Sequence, residues 1–121
     1  MTDLVPLDRR EVDLRWRWRS RDGEHHYPRD METRHLFHTL RMVWNNRMPP
    51  HMRVGERIRL YRFGSHYSHA YLGKAVLQIG AELFRRTDLT GLQQRELEEM
   101  AAWFLKDQDL IAQTLCIEDQ S

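Results

Sequence analysis

The run RWRWRSRDGEHHY, Arg15 to Tyr27, decides how this chain is read. Leu14, Trp16 and Trp18 alternate with Arg15, Arg17 and Arg19. That is the two-residue period of a strand with one buried and one solvated face. Ser20-Arg21-Asp22-Gly23 supplies turn chemistry, because glycine adopts positive φ without a Cβ clash. Glu24 to Tyr27 returns as a second strand, and Pro28 ends the pairing. The spacing therefore predicts a β-hairpin whose tryptophans enter the core and whose arginines face water.

Outward from the hairpin the period changes. In DMETRHLFHTLRMVWNN, the residues Thr33, Leu36, Phe37, Leu40, Val43 and Trp44 share one helical face. Asp30 is the expected N-cap, Glu32 adds charge in the first turn, and Asn45-Asn46 with Pro49-Pro50 close the helix. RMPPHMRVGER reads as an irregular loop. RIRLYRF, residues 57–63, reads as a third short strand or as the lead into the next helix. A second helix is expected from Gly64-Ser65 to about Arg86, with a stripe of Leu72, Ala75, Val76, Ile79 and Leu83. Gly73 and Gly80 lie nearly in line on it, where a neighbouring element can approach closely. Thr90 and Gln93 match a capping box opening a third helix. Leu97, Met100, Ala101, Phe104, Ile111 and Leu115 keep phase along it, while Glu96, Glu98 and Glu99 read as its solvated face.

The expected architecture is α+β: an N-terminal β-hairpin, with the third short strand left open, packed on three helices. Residues 1–12 form a flexible polar arm and residues 13–118 a single domain. The expected core is Trp16, Trp18, Leu36, Leu40, Val43, Leu72, Val76, Ile79, Leu83, Leu97, Met100, Phe104 and Ile111.

The chain has 121 residues, 40% hydrophobic and 31% charged, which suits one soluble domain with a modest core. No apolar run reaches the roughly 20 residues of a membrane span, and the N-terminus lacks the pattern of a secretory signal. With Cys116 as the lone thiol, the expected setting is cytoplasmic. Net charge is +1 but unevenly placed: 14 basic against 9 acidic residues up to Arg62, and 5 against 9 after it. Nearly all the cations are arginines, whose planar fork suits phosphate.

WRSRDGEHHYPRDMETRHLFHTLRM contains an aromatic strand, an Asp-Gly turn and an Asp-Met-x-x-x-His-Leu helix start. In this it resembles a group of small uncharacterised bacteriophage and prophage proteins. The resemblance covers about a quarter of the chain. It implies hairpin-then-helix and a phage or prophage source, hence a bacterial host cell, and implies no reaction.

Candidate chemistry is sparse. Neither a Gly-x-Ser-x-Gly elbow nor a glycine-rich phosphate loop is present, and Ser65 and Ser68 beside His66 and His69 do not make a triad by adjacency. No enzyme activity and no cofactor are expected. His35-x-x-His38 and His66-x-x-His69 put rings on adjacent helical turns, with His25 or His26 as a further ligand. The pairs lack the His-Glu-x-x-His frame or accompanying cysteines that would designate a metal, so they read first as structural or surface histidines. His35 and His38 fall opposite the apolar stripe, in a ridge with Met31 and Met42.

Arginine is the stronger signal. Arg15, Arg17 and Arg19 share a strand face, Arg21 sits at the turn, and Arg29, Arg34 and Arg41 extend the patch. Arg53, Arg57, Arg59 and Arg62 join it if the loop folds back. The expected function is a small non-enzymatic phage-type binding protein whose arginine-rich face engages nucleic acid or a host nucleoprotein. The alternative is a phage-encoded inhibitor of a host defence protein, of which anti-CRISPR proteins are one class, acting by direct protein–protein binding. Whether a helix face closes a homodimer is left open.

Overall fold

The computed structural model describes residues 13–65 and 67–106, with side chains through Trp103. His66, Ile111, Cys116 and the 1–12 arm lie outside the described residues, as does the side chain of Phe104. The architecture is α+β, as expected. Strands β1 (Trp18–Arg19) and β2 (His25–His26) form an antiparallel hairpin, followed by helices α1 (Thr33–Arg47), α2 (His69–Arg85) and α3 (Gly91–Lys106). Trp18 pairs with His26 and Arg19 with His25. No described helix is long and apolar enough to cross a membrane.

The hairpin turn follows its sequence closely. Gly23 N–H donates to the Ser20 carbonyl at 2.9 Å, and Ser20 N–H donates to the Glu24 carbonyl at 2.8 Å. Gly23 sits at φ 89°, which makes this a tight turn closed by a left-handed glycine. The Asp22 carboxylate accepts from Ser20 Oγ at 2.6 Å and from Glu24 N–H at 3.0 Å. Those bonds, Ser20 first, hold its carboxyl below the usual carboxylate value.

The strand itself is shorter than the alternation suggests. Trp16 N–H donates to the Asp13 carbonyl at 3.0 Å, so residues 13–16 turn instead of extending. Leu14 is consequently 67% exposed rather than buried beside the tryptophans. Trp18 is buried and Trp16 is half-buried against the core.

A two-residue hairpin does not hold itself together in water. Here α2 completes it. The Tyr71 hydroxyl accepts from Arg19 N–H at 2.7 Å and donates to the Arg17 carbonyl at 2.9 Å. The Tyr67 hydroxyl donates to the Arg19 carbonyl at 2.8 Å. Two phenols thus occupy the edge that a third strand would take. Burial pushes the Tyr71 phenol up to about 12, so it keeps the proton that the Arg17 bond needs. The rings also pack: Trp18 lies 5.6 Å from Tyr67 and 5.9 Å from Tyr71, and Trp16 lies 5.4 Å from Tyr71.

Helix α1 starts later than the Asp30 cap predicts. Pro28–Asp30 forms a 3-10 turn, and Glu32 occupies the N-cap without a side-chain bond. Thr33 is turned to other use. Its hydroxyl donates to Asp88 at 2.7 Å and accepts from Arg86 at 2.9 Å, joining the start of α1 to the α2–α3 connection. Arg86 also reaches the Pro28 carbonyl at 3.0 Å and Glu82 at 2.8 Å. Likewise α2 begins at His69, not at Gly64-Ser65, because Ser68 caps it by accepting from Tyr71 N–H at 3.1 Å. Gly73 and Gly80 are both buried in α2. The capping box of α3 forms as read: Thr90 N–H to Gln93 at 3.0 Å and Gln93 N–H to Thr90 at 3.1 Å.

Leu36, Leu40, Val43, Leu72, Val76, Ile79, Leu83, Leu97 and Met100 are all in the core. Met31, placed by helical spacing opposite the stripe, is buried too, because the 3-10 turn redirects it. Residues 57–63 form no strand. Tyr61 N–H donates to the Asn46 side-chain oxygen at 2.8 Å. Asn45 and Asn46 lie inside α1 instead of closing it. The buried Asn45 side chain accepts from Val54 N–H at 2.8 Å and donates to the Val54 carbonyl at 2.9 Å. Trp44 Nε1 donates to the Met52 carbonyl at 2.8 Å. Trp44 and Asn45 therefore fasten the loop that the sequence presents as irregular, and Asn46 holds the segment that follows it.

Two substitutions test this frame. Tyr71→Phe leaves Arg19 N–H and the Arg17 carbonyl without their partner, and should cost roughly 1–3 kcal/mol in urea unfolding. Asn45→Ala strands both polar groups of Val54 in the interior and should cost a similar roughly 1–3 kcal/mol.

Candidate nucleic-acid interface

Fastening residues 52–61 to α1 creates a groove of about 740 Å³. One wall is the hairpin, contributing Trp18, Arg19 and Arg21. The floor is α1, with His35, His38, Arg41 and Met42. The far wall is the folded-back segment, with Arg57, Arg59, Tyr61 and Arg62. Phe63 and Tyr67 close the end towards α2, their rings 5.2 Å apart. Among the described residues, six arginines and two histidines line this groove, and no acidic residue does.

Among the described residues, Arg41 alone of those six arginines has a carboxylate partner: Glu96 of α3, at 3.2 Å. Glu96 is 7% exposed, so it belongs to a buried contact and not to the solvated face expected with Glu98 and Glu99. Gly55, at φ 102°, lets the chain pass beside this pair, since a Cβ there would meet the Arg41 guanidinium at 3.0 Å. Arg19, Arg21, Arg57, Arg59 and Arg62 carry no ion pair among the described residues, and all but Arg19 are exposed.

The structure therefore redraws the arginine patch. Of the sequence candidates it gathers Arg19, Arg21, Arg41, Arg57 and Arg59, together with Arg62. Arg15 and Arg17 are exposed but do not line the groove. Arg29 lies 4.5 Å from the Tyr27 ring centroid and donates to the Leu14 carbonyl at 2.9 Å, in a separate cleft with Asp13 and Glu82. Arg34 lines a different hollow together with Glu32 and Asp88. Arg53 donates to the Asn45 carbonyl at 3.1 Å and helps hold the loop.

The histidine pairs separate. His35 and His38 both reach the groove. His69 is hydrogen-bonded to Arg47, and His66 lies outside the described residues. His26 meets Ser20 Oγ at 3.2 Å. Among the described residues no three His, Cys, Asp or Glu side chains are grouped to hold a metal ion. Ser68 is committed to its cap.

What sequence reading missed is the aromatic end of the groove and the asparagine staples behind it. Asparagine is a poor interior helix residue because its amide competes for backbone groups. Two in succession among apolar neighbours were the available signal. Tyr61 is the other omission: it is 39% exposed and has no ring contact among the described residues.

The chain matches no protein-family model, no curated protein and no solved structure at a significant level. The likeness to phage proteins rests on the residues quoted above.

His38 offers a probe of the groove. Desolvation, then the charges of Arg41, Arg34 and His35, push its imidazole below the ordinary value of 6.5, with Glu96 opposing them. The folded state therefore favours neutral His38. Its contribution to stability is present above the unfolded pKa and is lost as pH falls through the lowered folded value. An anion in the groove screens those cations and should draw the imidazole back upward. NMR titration of the His38 ring should give a pKa below 6.5 in free protein, rising when inorganic polyphosphate is added.

Proposed function

We propose that this protein is a non-enzymatic binding module of phage type whose arginine-lined groove engages nucleic acid, free or within a host nucleoprotein. The observation that carries the reading is convergence. Five guanidinium groups without ion-pair partners among the described residues arrive from two separate walls around one groove. Arginine forks match phosphate oxygens bidentately, and like charges held together repel until an anion enters. The lone cysteine and the phage resemblance support a bacterial cytoplasm as its setting.

A second reading, direct binding to an acidic host defence protein, draws on Ile58 and Leu60. They are 39% and 54% exposed on the same segment as Arg57 and Arg59, though they do not line the groove. Apolar anchors beside arginines are common at protein interfaces. Such an inhibitor would ignore free nucleic acid and co-purify with its host target.

Salt decides between them. If the groove holds phosphates, log affinity for an oligonucleotide should fall with log salt by roughly 0.7–0.9 per phosphate contacted. The double variant Arg57→Ala/Arg59→Ala should weaken binding and flatten that slope by about 1.4–1.8. Arg15→Ala/Arg17→Ala, which lies off the groove, should leave both nearly unchanged. Affinity insensitive to salt would remove the reading.

A further inference from the structure

We infer that the groove takes an unpaired nucleic-acid strand and that Tyr61 stacks on one of its bases, a step that rests on the nucleic-acid reading above. Of the four aromatic residues lining the groove, three are committed to the protein. Trp18 is buried, and Phe63 and Tyr67 pack on each other. Tyr61 alone is exposed, and it has no ring contact among the described residues. Its backbone is held by Asn46 at 2.8 Å, so the ring is carried on an anchored position. In sequence it stands between Arg59 and Arg62, both of which line the same groove.

That arrangement pairs an aromatic face with flanking phosphate ligands. Unpaired strands are bound in this way, by a basic groove tracking the backbone and rings on which bases stack. A duplex keeps its base faces inside its own stack and has none to offer Tyr61. The dimensions agree: about 740 Å³ lies within the roughly 300–1,000 Å³ of pockets that enclose compact ligands. Unlike a purely electrostatic surface, this groove distinguishes nucleic acid from other polyanions.

The test uses the full chain and four probes: a labelled oligothymidylate of about twelve nucleotides, a blunt duplex of the same length, and inorganic polyphosphate and thymidine monophosphate as competitors. Fluorescence anisotropy should show the single strand binding at least about tenfold tighter than the duplex at equal salt. Tyr61→Ala should weaken single-strand binding about tenfold, the loss expected for one base–aromatic stack. Polyphosphate affinity should stay as in the parent, and Tyr61→Phe should retain single-strand binding. Because Tyr61 is exposed, an unchanged circular dichroism spectrum is expected to accompany these variants. Equal affinity for duplex, thymidine monophosphate as tight as the oligomer, or a silent Tyr61→Ala would overturn the inference while leaving the basic groove as a phosphate site. Failure of every polyanion to bind would instead overturn the nucleic-acid reading beneath it.

Discussion

Everything on the front face of this protein depends on two phenols. β1 is two residues long, and its outer edge would otherwise present unpaired amide and carbonyl groups. The Tyr71 hydroxyl, accepting from Arg19 and donating to Arg17, does what a neighbouring strand would do. Tyr67 adds a third bond to the same edge. Because Tyr71 lies in the first turn of α2 and Tyr67 just before its Ser68 cap, the hairpin is tied to a helix distant in sequence. Trp18 is thereby turned into the core while Arg19 and Arg21 are left against the groove. An unpaired polar group in such a place costs about 1–3 kcal/mol, comparable to a sizeable share of a small domain's stability.

The opposite wall is secured by a similar device. Asn45 pairs with both polar groups of Val54, as a strand neighbour would, and Asn46 accepts from Tyr61 N–H. Side chains thus replace regular structure on both sides of the groove. The outcome is an irregular segment held in place without a β-ladder. Its outward side chains, Arg57, Arg59 and Tyr61, remain unencumbered by cross-strand neighbours. A third strand in this position would have kept Arg57, Arg59 and Tyr61 on one face but turned Arg62 to the other.

The helical periodicity and the cap of α3 were legible in the sequence because they depend on local spacing. Leu36, Leu40 and Val43 follow from one helical face, and Thr90-Gln93 from three-residue spacing. The burial of Trp18 followed from alternation in the same way. Leu14 and Met31 departed because short-range turns, at 13–16 and at Pro28–Asp30, interrupted the period just where it was being extrapolated. The groove was legible only in part. Arginine abundance pointed to a basic face, yet which cations converge is set by contacts across 15 to 55 residues, such as Tyr61–Asn46 and Arg41–Glu96. Spacing along the chain carries no record of those distances. Arg15 and Arg29 were therefore grouped with residues they do not join.

Charge asymmetry between the two halves of the chain admits an ordinary explanation, that basic and acidic parts neutralise each other. The described contacts limit how far this goes. Across the halves, Arg41–Glu96 is the ion pair formed, and Arg86 meets Thr33 and the Pro28 carbonyl without a front-half carboxylate. The remaining described ion pairs, Arg85 and Arg86 with Glu82, lie within the back half. Glu98 and Glu99 are exposed and do not line the groove. Keeping Arg57, Arg59 and Arg62 on one short segment beside Arg19 and Arg21 costs repulsive free energy that no ion pair among the described residues offsets. Screening by salt reduces that cost at the surface, where charges more than about 8–10 Å apart hardly interact. Within a concave groove the low-dielectric walls focus the field, so repulsion persists and an entering phosphate gains correspondingly more. The proposed selectivity for a polyanion rests on this crowding of like charges.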